Sequence, residues 1–136
     1  MSVIVTDTGF AREDWAHGFS PLSAHQAQDR RGLDLSPDTD PASLLGRLGG
    51  IGMIRVDFPS FADGRGFTIA RQLRLMGFTG RLRAAGHVIS DQYAMARRAG
   101  FDEVEISKVQ SLRQPEAHWR FRADWRAYDH QSRLRG

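Results

Sequence analysis

The most regular hydrophobic pattern lies in the middle of the chain. Residues 54–58 alternate apolar and polar side chains, as expected for a strand with one buried face. Residues 67–76 instead repeat apolar side chains at helical spacing and end at a glycine. The pattern predicts strands over 54–58, 82–86 and 103–106, with helices over 67–76 and 91–99 between them.

This βαβαβ order predicts a single α/β domain with a parallel-sheet core, of half-barrel or Rossmann-like form. Crossovers between parallel strands are right-handed, so neighbouring strands in this order would place both helices on one face of the sheet. The other face would then be half polar, with Asp57, Arg83 and Glu105 side by side. Such a face is expected to be covered, either by the chain itself or by a second protein.

The segments on either side of this core are less regular. Residues 1–40 are predicted to be an irregular N-terminal segment with a short strand over 3–5 and a loop over 28–41. The α/β core is expected to span 41–112 and to open with a helix that Asp40 caps, with Pro41 at its first position and Gly49-Gly50 at its end.

The C-terminal segment, 113–136, is rich in aromatic residues and arginine. Alternation over 117–128 favours a strand, but Phe121, Trp125 and Tyr128 also fit helical spacing, so both alternatives stay open. Its apolar side chains would expose a large apolar area if the segment lay free on the surface. We expect this segment to pack on its own core or on a second copy, with 133–135 left free.

Composition narrows the class of protein. The chain has 136 residues, enough for one domain, and it contains no cysteine, which excludes disulfides and thiolate chemistry. No apolar run is long enough to span a membrane, and the first residues do not match a signal peptide. The expected location is the cytoplasm.

The positive charge is concentrated at one end. The net charge of +3 arises from the arginines after residue 112, because the preceding residues balance to zero. A nucleic-acid-binding domain would carry a basic stripe on its folded body. The sequence therefore predicts neither a nucleic-acid partner nor a membrane partner.

A glycine-containing loop between the first predicted strand and its helix is the main candidate site. Asp63, Gly64, Arg65 and Gly66 lie where the N–H groups of a helix N-terminus can accept an anion. Arg65 could bind an oxyanion with two hydrogen bonds. In the alternative interpretation, Asp63 caps the helix, the glycines form the turn and Arg65 pairs with an acidic neighbour.

The same loop does not match a nicotinamide-binding fingerprint. The third glycine position is Ile69, and the second strand ends at Gly86-His87 without an acid for a ribose. The histidines show no metal-ligand spacing. No cofactor is identified, and a redox role would need a bound flavin or another cofactor that no motif indicates.

His87 and Asp91 follow the second predicted strand. They should share the sheet edge with the 63–66 loop, where they would form an acid–base pair on the rim of an anion site. In the alternative interpretation, Ser90 or Asp91 caps the next helix and His87 is a surface residue. The catalytic residues, if any, remain unknown.

Short phrases along the middle of the chain carry a family resemblance. They are Asp57-Phe-Pro-Ser-Phe61, Asp63-Gly-Arg65, Ile69-Ala-Arg71-Gln-Leu-Arg74, Gly77-Phe-Thr-Gly80, Leu82-Arg-Ala-Ala-Gly86, Asp91-Gln92 and Gly100-Phe-Asp102. With them the chain resembles an uncharacterised bacterial family, domain of unknown function 934. Its members are often labelled as oxidoreductases of sulfite reduction, because of gene proximity. Many members have Cys where this chain has Ala99.

The resemblance implies a role in sulfur assimilation and leaves two hypotheses. In the first, this is a non-catalytic accessory protein of assimilatory sulfite reduction that docks on sulfite reductase or its electron donor. In the second, it is a small enzyme that acts on an oxyanion or phosphorylated substrate at the Asp63–Arg65 loop. Whether the chain forms a homodimer is left open.

Overall fold

The computed structural model describes residues 2–26 and 28–126, which contain seven strands and four α-helices. The strands are β1 (Ser2–Thr6), β2 (Gly9–Ala11), β3 (Phe19–Pro21), β4 (Gly32–Leu35), β5 (Met53–Phe58), β6 (Arg81–Gly86) and β7 (Glu103–Ser107). The helices are α1 (Arg65–Leu75), α2 (Tyr93–Ala99), α3 (Lys108–Arg113) and α4 (Glu116–Phe121), and short 3-10 turns cover Leu22–Ala24, Pro41–Leu44 and Ser90–Gln92.

All seven strands belong to one sheet in the order β2-β1-β7-β6-β5-β4-β3. The five strands from β3 to β7 are parallel, and β1 runs antiparallel to both of its neighbours. The predicted mixed α/β class is therefore confirmed. The carboxyl ends of β5, β6 and β7 lie at one edge of this sheet.

One face of the sheet carries the hydrophobic core. Ile54 and Val56 of β5 are fully buried there in one cluster with Leu73 of α1 and Ala96 of α2. The two helices also contact each other. Only every second side chain of β5 faces the helices, which explains why apolar and polar residues alternate over 54–58.

The N-terminal segment is more regular than the sequence indicates. The prediction of a loop over 28–41 is wrong for Gly32–Leu35, which forms β4 and pairs with β5. Leu33 and Leu35 are buried on either side of Asp34. Two apolar residues among charged neighbours are too short an alternation to identify a strand, and pairing with β5 supplies the remaining stabilisation.

The Asp40 cap is present, although the helix that it begins is short. The Asp40 carboxylate accepts a hydrogen bond from the N–H of Ala42 at 3.0 Å. The following turn, Pro41–Leu44, is a 3-10 helix that buries Leu44 in the core. The predicted cap is correct, but the prediction that this helix continues to the glycines at 49 and 50 is wrong.

The aromatic C-terminal segment adopts a helix over Glu116–Phe121 and packs on its own chain. Trp119 is fully buried, and its ring meets the ring of Tyr93 edge to face at 6.1 Å. The Trp119 indole N–H donates to the carbonyl of Gln114 at 2.9 Å. This settles the strand-or-helix alternative for those residues, whereas 127–136 lie outside the described residues.

The predicted row of Asp57, Arg83 and Glu105 is wrong, because Arg83 is displaced by two residues from the row of the other two. Asp57 lies opposite Ala85, and Arg83 lies between Arg55 and Glu103. Alternation shows which side chains share a face, but a shift of two residues keeps the same face and is not visible in the pattern. Arg83 still reaches Glu105, with its Nη1 at 2.8 Å from the carboxylate oxygen.

Among the described residues, the N-terminal segment covers the polar face, and the described part of the aromatic tail packs elsewhere. Glu13 pairs with the guanidinium of the fully buried Arg83. The ring of Phe19 lies 3.7 Å beneath the guanidinium of Arg55. The predicted cover therefore exists within the chain and is supplied by residues 13–19. Among the described residues, no helix is both long and apolar enough to cross a membrane.

Candidate functional site

A cavity of about 490 Å³ lies where β6 and β7 end, beside the loop that follows β5. Its walls include Phe61 from that loop, His87 and Ile89 after β6, and Val109 and Arg113 on α3. Ligands of parallel α/β sheets bind at the carboxyl ends of the strands. We call this cavity the carboxyl-edge pocket.

Side chains of α3 hold the walls of the carboxyl-edge pocket together. The Gln110 side-chain amide donates to the carbonyl of Val88 at 2.5 Å, and the side-chain oxygen of Gln114, the residue after α3, accepts from the N–H of Ser90 at 3.0 Å. Both bonds join α3 and its C-terminal end to the loop after β6. They hold the pocket walls in place relative to each other.

His87 is held against the loop that follows β5. Its backbone N–H donates to the carbonyl of Phe58 at 2.9 Å, and its Nδ1 lies 3.3 Å from the same oxygen. The imidazole meets the ring of Phe61 edge to face at 5.2 Å. Among the described residues, Nε2 of His87 has no hydrogen-bond partner, so it can take part in ligand binding.

Gly86 forms part of the pocket wall and has to be glycine. Its φ is +110°, a conformation that side-chain-bearing residues rarely adopt. A Cβ there would lie 2.7 Å from the carbonyl oxygen of Phe58. The glycine that the sequence places before His87 thus allows β5 and the end of β6 to approach closely.

The predicted anion-binding residues of the 63–66 loop are occupied by contacts with one another. The Asp63 carboxylate accepts from the backbone N–H of Arg65 at 3.1 Å and from its guanidinium at 2.6 Å. Asp38 binds the same guanidinium at 2.6 Å. The guanidinium also holds the pKa of Asp63 below its usual value. An incoming anion would compete with two carboxylates.

The two glycines of this loop have different surroundings. Gly66 is buried under the ring of Phe58, and a Cβ there would lie 2.4 Å from the ring. Gly64 precedes α1 and has open space, with only Phe67 within ordinary contact of an added Cβ. Packing therefore accounts for Gly66, while anion binding at this loop stays a prediction.

His87 and Asp91 are not brought together as a pair. His87 lines the carboxyl-edge pocket, whereas Asp91 lines smaller neighbouring cavities beside Phe121. The Asp91 carboxylate forms an ion pair with Arg122 at 2.8 Å. No hydrogen bond joins His87 and Asp91 in the described part of the chain.

The hydrophobic pattern of the sequence does not predict the contribution of α3. Val109, Gln110 and Arg113 all come from this six-residue helix, which the hydrophobic pattern does not reveal. The signal that could have found it is Ser107 followed three residues later by Gln110, a helix-start pattern. The Ser107 hydroxyl accepts from the N–H of Gln110 at 3.1 Å and begins the helix.

A second cavity, of about 500 Å³, opens on the polar face of the sheet at the same edge. Asp34, Arg55, Asp57 and Glu105 contribute to its walls. Arg55 binds Asp34 at 2.6 Å and Glu105 at 3.1 Å, so its charge is balanced within the sheet. These ion pairs link β4, β5 and β7 on the polar face of the sheet.

The fold and this edge define a small α/β protein with a preformed binding pocket beyond the carboxyl ends of its central strands. Comparison with protein families then identifies it more closely. The family described as bacterial protein of unknown function (DUF934) matches residues 32–135, most of the chain, and the protein belongs to that family. Comparisons with curated proteins and with solved structures gave no match.

Proposed function

We propose that this protein is a non-catalytic accessory protein of assimilatory sulfite reduction, acting in the cytoplasm by docking on sulfite reductase or its electron donor. The observation that supports docking is the exposure of three apolar side chains on α3 and α4. Val109, Leu112 and Phe121 are 59%, 73% and 75% exposed, respectively. We call these three side chains, with the helices that carry them, the α3–α4 surface.

The charge around the α3–α4 surface favours an acidic partner. Lys108, Arg113 and Arg120 are exposed on the same two helices. The carboxylate of Glu116, the acidic residue of α4, turns away to accept the N–H of Phe10 at 2.8 Å. Exposed apolar side chains next to exposed cations suit an acidic protein surface, and the Asp91 carboxylate beside Phe121 is paired with Arg122.

The sulfite-reduction context rests on the resemblance of the chain to its family and not on the geometry. Members of the family are often labelled in that way, and the family description itself names no activity. A docking role agrees with a surface that presents large apolar side chains next to the carboxyl-edge pocket. Val109 belongs to both features.

The arrangement of side chains favours docking over catalysis. Within the described residues His87 has no carboxylate partner, and the hydroxyl of Ser107 is occupied as the cap of α3. The alternative, an enzyme acting on an oxyanion at the Asp63–Arg65 loop, would have to free Arg65 from two carboxylates. No contact of the loop favours that alternative.

Binding to purified partners tests the proposal. The wild-type chain is titrated against purified sulfite reductase holoenzyme and, separately, against its electron donor, by calorimetry. The double variant Leu112→Asp, Phe121→Asp should bind at least about tenfold more weakly, since anchoring apolar side chains at interfaces contribute roughly 1 kcal/mol or more each. Raised salt should weaken the wild-type complex.

Leu75→Asp is the matched control. Leu75 is also an exposed leucine on a helix, 81% exposed, but it lies on α1. Its substitution should leave binding unchanged. The proposal is contradicted if neither partner binds the wild type, or if the control loses as much affinity as the double variant. Self-association that only the double variant abolishes would assign the α3–α4 surface to a second copy.

A further inference from the structure

We propose that the carboxyl-edge pocket is a binding site for a small organic monoanion with an apolar body. The site is distinct from the predicted anion loop at 63–66, because those four residues are not among its walls. Val109 and Arg113 contribute to both this pocket and the α3–α4 surface, but the proposal does not require docking, since the ligand would bind to the isolated chain.

The charge of the pocket indicates an anion. Arg113 is the one permanently charged side chain in the described walls, and no carboxylate lines the cavity. Arg113 forms no hydrogen bond or ion pair within the described part of the chain, whereas most arginines on the sheet and on α1 are paired. A single unpaired guanidinium beside a largely apolar cavity suits one carboxylate, sulfonate or phosphate group.

The remaining walls indicate an apolar body for the ligand. Phe61 and Val109 face the cavity and are 46% and 59% exposed, and Ile89 adds a third apolar side chain. A ligand that covers these side chains removes apolar surface from water, which is the main source of affinity in such pockets. The Nε2 of His87 provides one further hydrogen-bonding position.

The pocket is preorganised, which lowers the cost of binding. Gln110 and Gln114 fix α3 to the loop after β6. Gln92 fixes the loop after β5 by donating to the carbonyl of Phe61 at 2.9 Å. All three glutamines bond backbone groups, so the walls do not need to rearrange around a ligand. The volume of about 490 Å³ is in the range of small-molecule sites.

A pair of fluorescent probes tests both parts of the proposal on the purified full chain. 8-Anilinonaphthalene-1-sulfonate carries one negative charge, and N-phenyl-1-naphthylamine has the same rings without the sulfonate. The wild type should bind the sulfonate about tenfold more tightly than the neutral probe, because a charge-assisted hydrogen bond contributes on the order of that factor. One molecule of the sulfonate should bind per chain.

Three variants locate the probe. Arg113→Gln should lower affinity for the sulfonate about tenfold and leave the neutral probe unchanged. Arg71→Gln is the matched control, because Arg71 is an exposed helical arginine on α1 that does not line the pocket. Leu112→Asn, which adds no charge beside Arg113 and lies outside the pocket walls, should not change binding of either probe.

The outcomes separate this proposal from the docking proposal. Equal affinity for the two probes, or equal loss in Arg113→Gln and Arg71→Gln, overturns the anion site. Loss in Leu112→Asn alone would place the probe on the α3–α4 surface and also overturn it. Docking is measured with the double aspartate variant and a second protein, whereas this site is measured with Arg113→Gln and small probes, so either proposal can fail without the other. Unfolding curves of each variant identify any loss of folding.

Discussion

Arg83 is the central side chain of the polar face of the sheet. It is fully buried, and its guanidinium binds Glu13, Glu103 and Glu105. Desolvating a cation costs several kcal/mol, and these carboxylates offset that cost. The network also explains why residues 13–19 lie on this face, because Glu13 completes the shell of Arg83.

Glu13 makes the stability of the fold depend on pH. Its hydrogen bonds with Arg83 hold the pKa of the Glu13 carboxyl below its ordinary value of 4.5. A carboxyl with a lowered folded pKa stabilises the fold fully above the ordinary value and loses that contribution as pH falls through the folded pKa. The wild type should therefore melt above Glu13→Gln at pH 7, and the difference should shrink below about pH 4.5.

Melting curves of both proteins between pH 7 and pH 2.5 check this expectation. Asp57→Asn is the control, because Asp57 is exposed and has no ion pair among the described residues. Its difference from the wild type should not follow the Glu13 profile. A constant difference between wild type and Glu13→Gln over the whole range would show that Glu13 acts through packing alone.

The residues of the candidate site were predictable in part. His87, which follows the second predicted strand, lines the pocket because strand ends gather at one edge, whereas Asp63–Gly66 and Asp91 are not among its walls. The pairing of Arg65 with Asp38 was not predictable, since the two residues lie 27 positions apart. A list of residue types cannot show which of two acids a guanidinium will reach.

The α4 segment shows that the spacing of apolar residues alone does not distinguish a helix from a strand. Its aromatic residues satisfy both patterns, and the outcome depends on the burial of Trp119 against Tyr93. Pro115 at the start favours a helix, because proline fits the first turn. Tertiary packing, absent from the local pattern, selects the helix.

Trp119 should supply much of the stability that α4 contributes. Trp119→Ala should lower the free energy of unfolding by about 3–5 kcal/mol, because a buried ring of that size leaves a large cavity. Phe121→Ala, an exposed aromatic on the same helix, should change it by less than about 0.5 kcal/mol. Urea unfolding followed by circular dichroism measures both. Equal effects would mean that α4 does not contribute to the folded core.

The central elements were predictable and the short ones were not. Enough apolar residues recur to define a strand period over 53–58 and 81–86 and a helical period over 65–75. β2 and β3 have three residues each, too few for any period to be read. Their strand conformation comes from pairing with neighbours.

At the scale of the whole molecule, three features meet around the carboxyl ends of the central strands. The carboxyl-edge pocket is lined by the ends of β6 and β7 and by segments that follow β5, β6 and β7. The second cavity is lined by residues at the ends of β3 to β7, and the α3–α4 surface lies on the helices after β7. The buried ion pairs and the hydrophobic core hold the strands that position them. In both proposals the sheet acts mainly as a rigid support for the residues that bind other molecules at this edge.

Growth of a deletion strain tests the proposed role most directly. Cells lacking the protein should grow slowly with sulfate as the sulfur source and normally with cysteine, and the wild-type gene and its Leu75→Asp variant should restore growth on sulfate. The double variant Leu112→Asp, Phe121→Asp, expressed at the same level, should not restore it. Equal growth of the deletion strain on sulfate and on cysteine would contradict a role in sulfite reduction, and full rescue by the double variant would contradict docking through the α3–α4 surface.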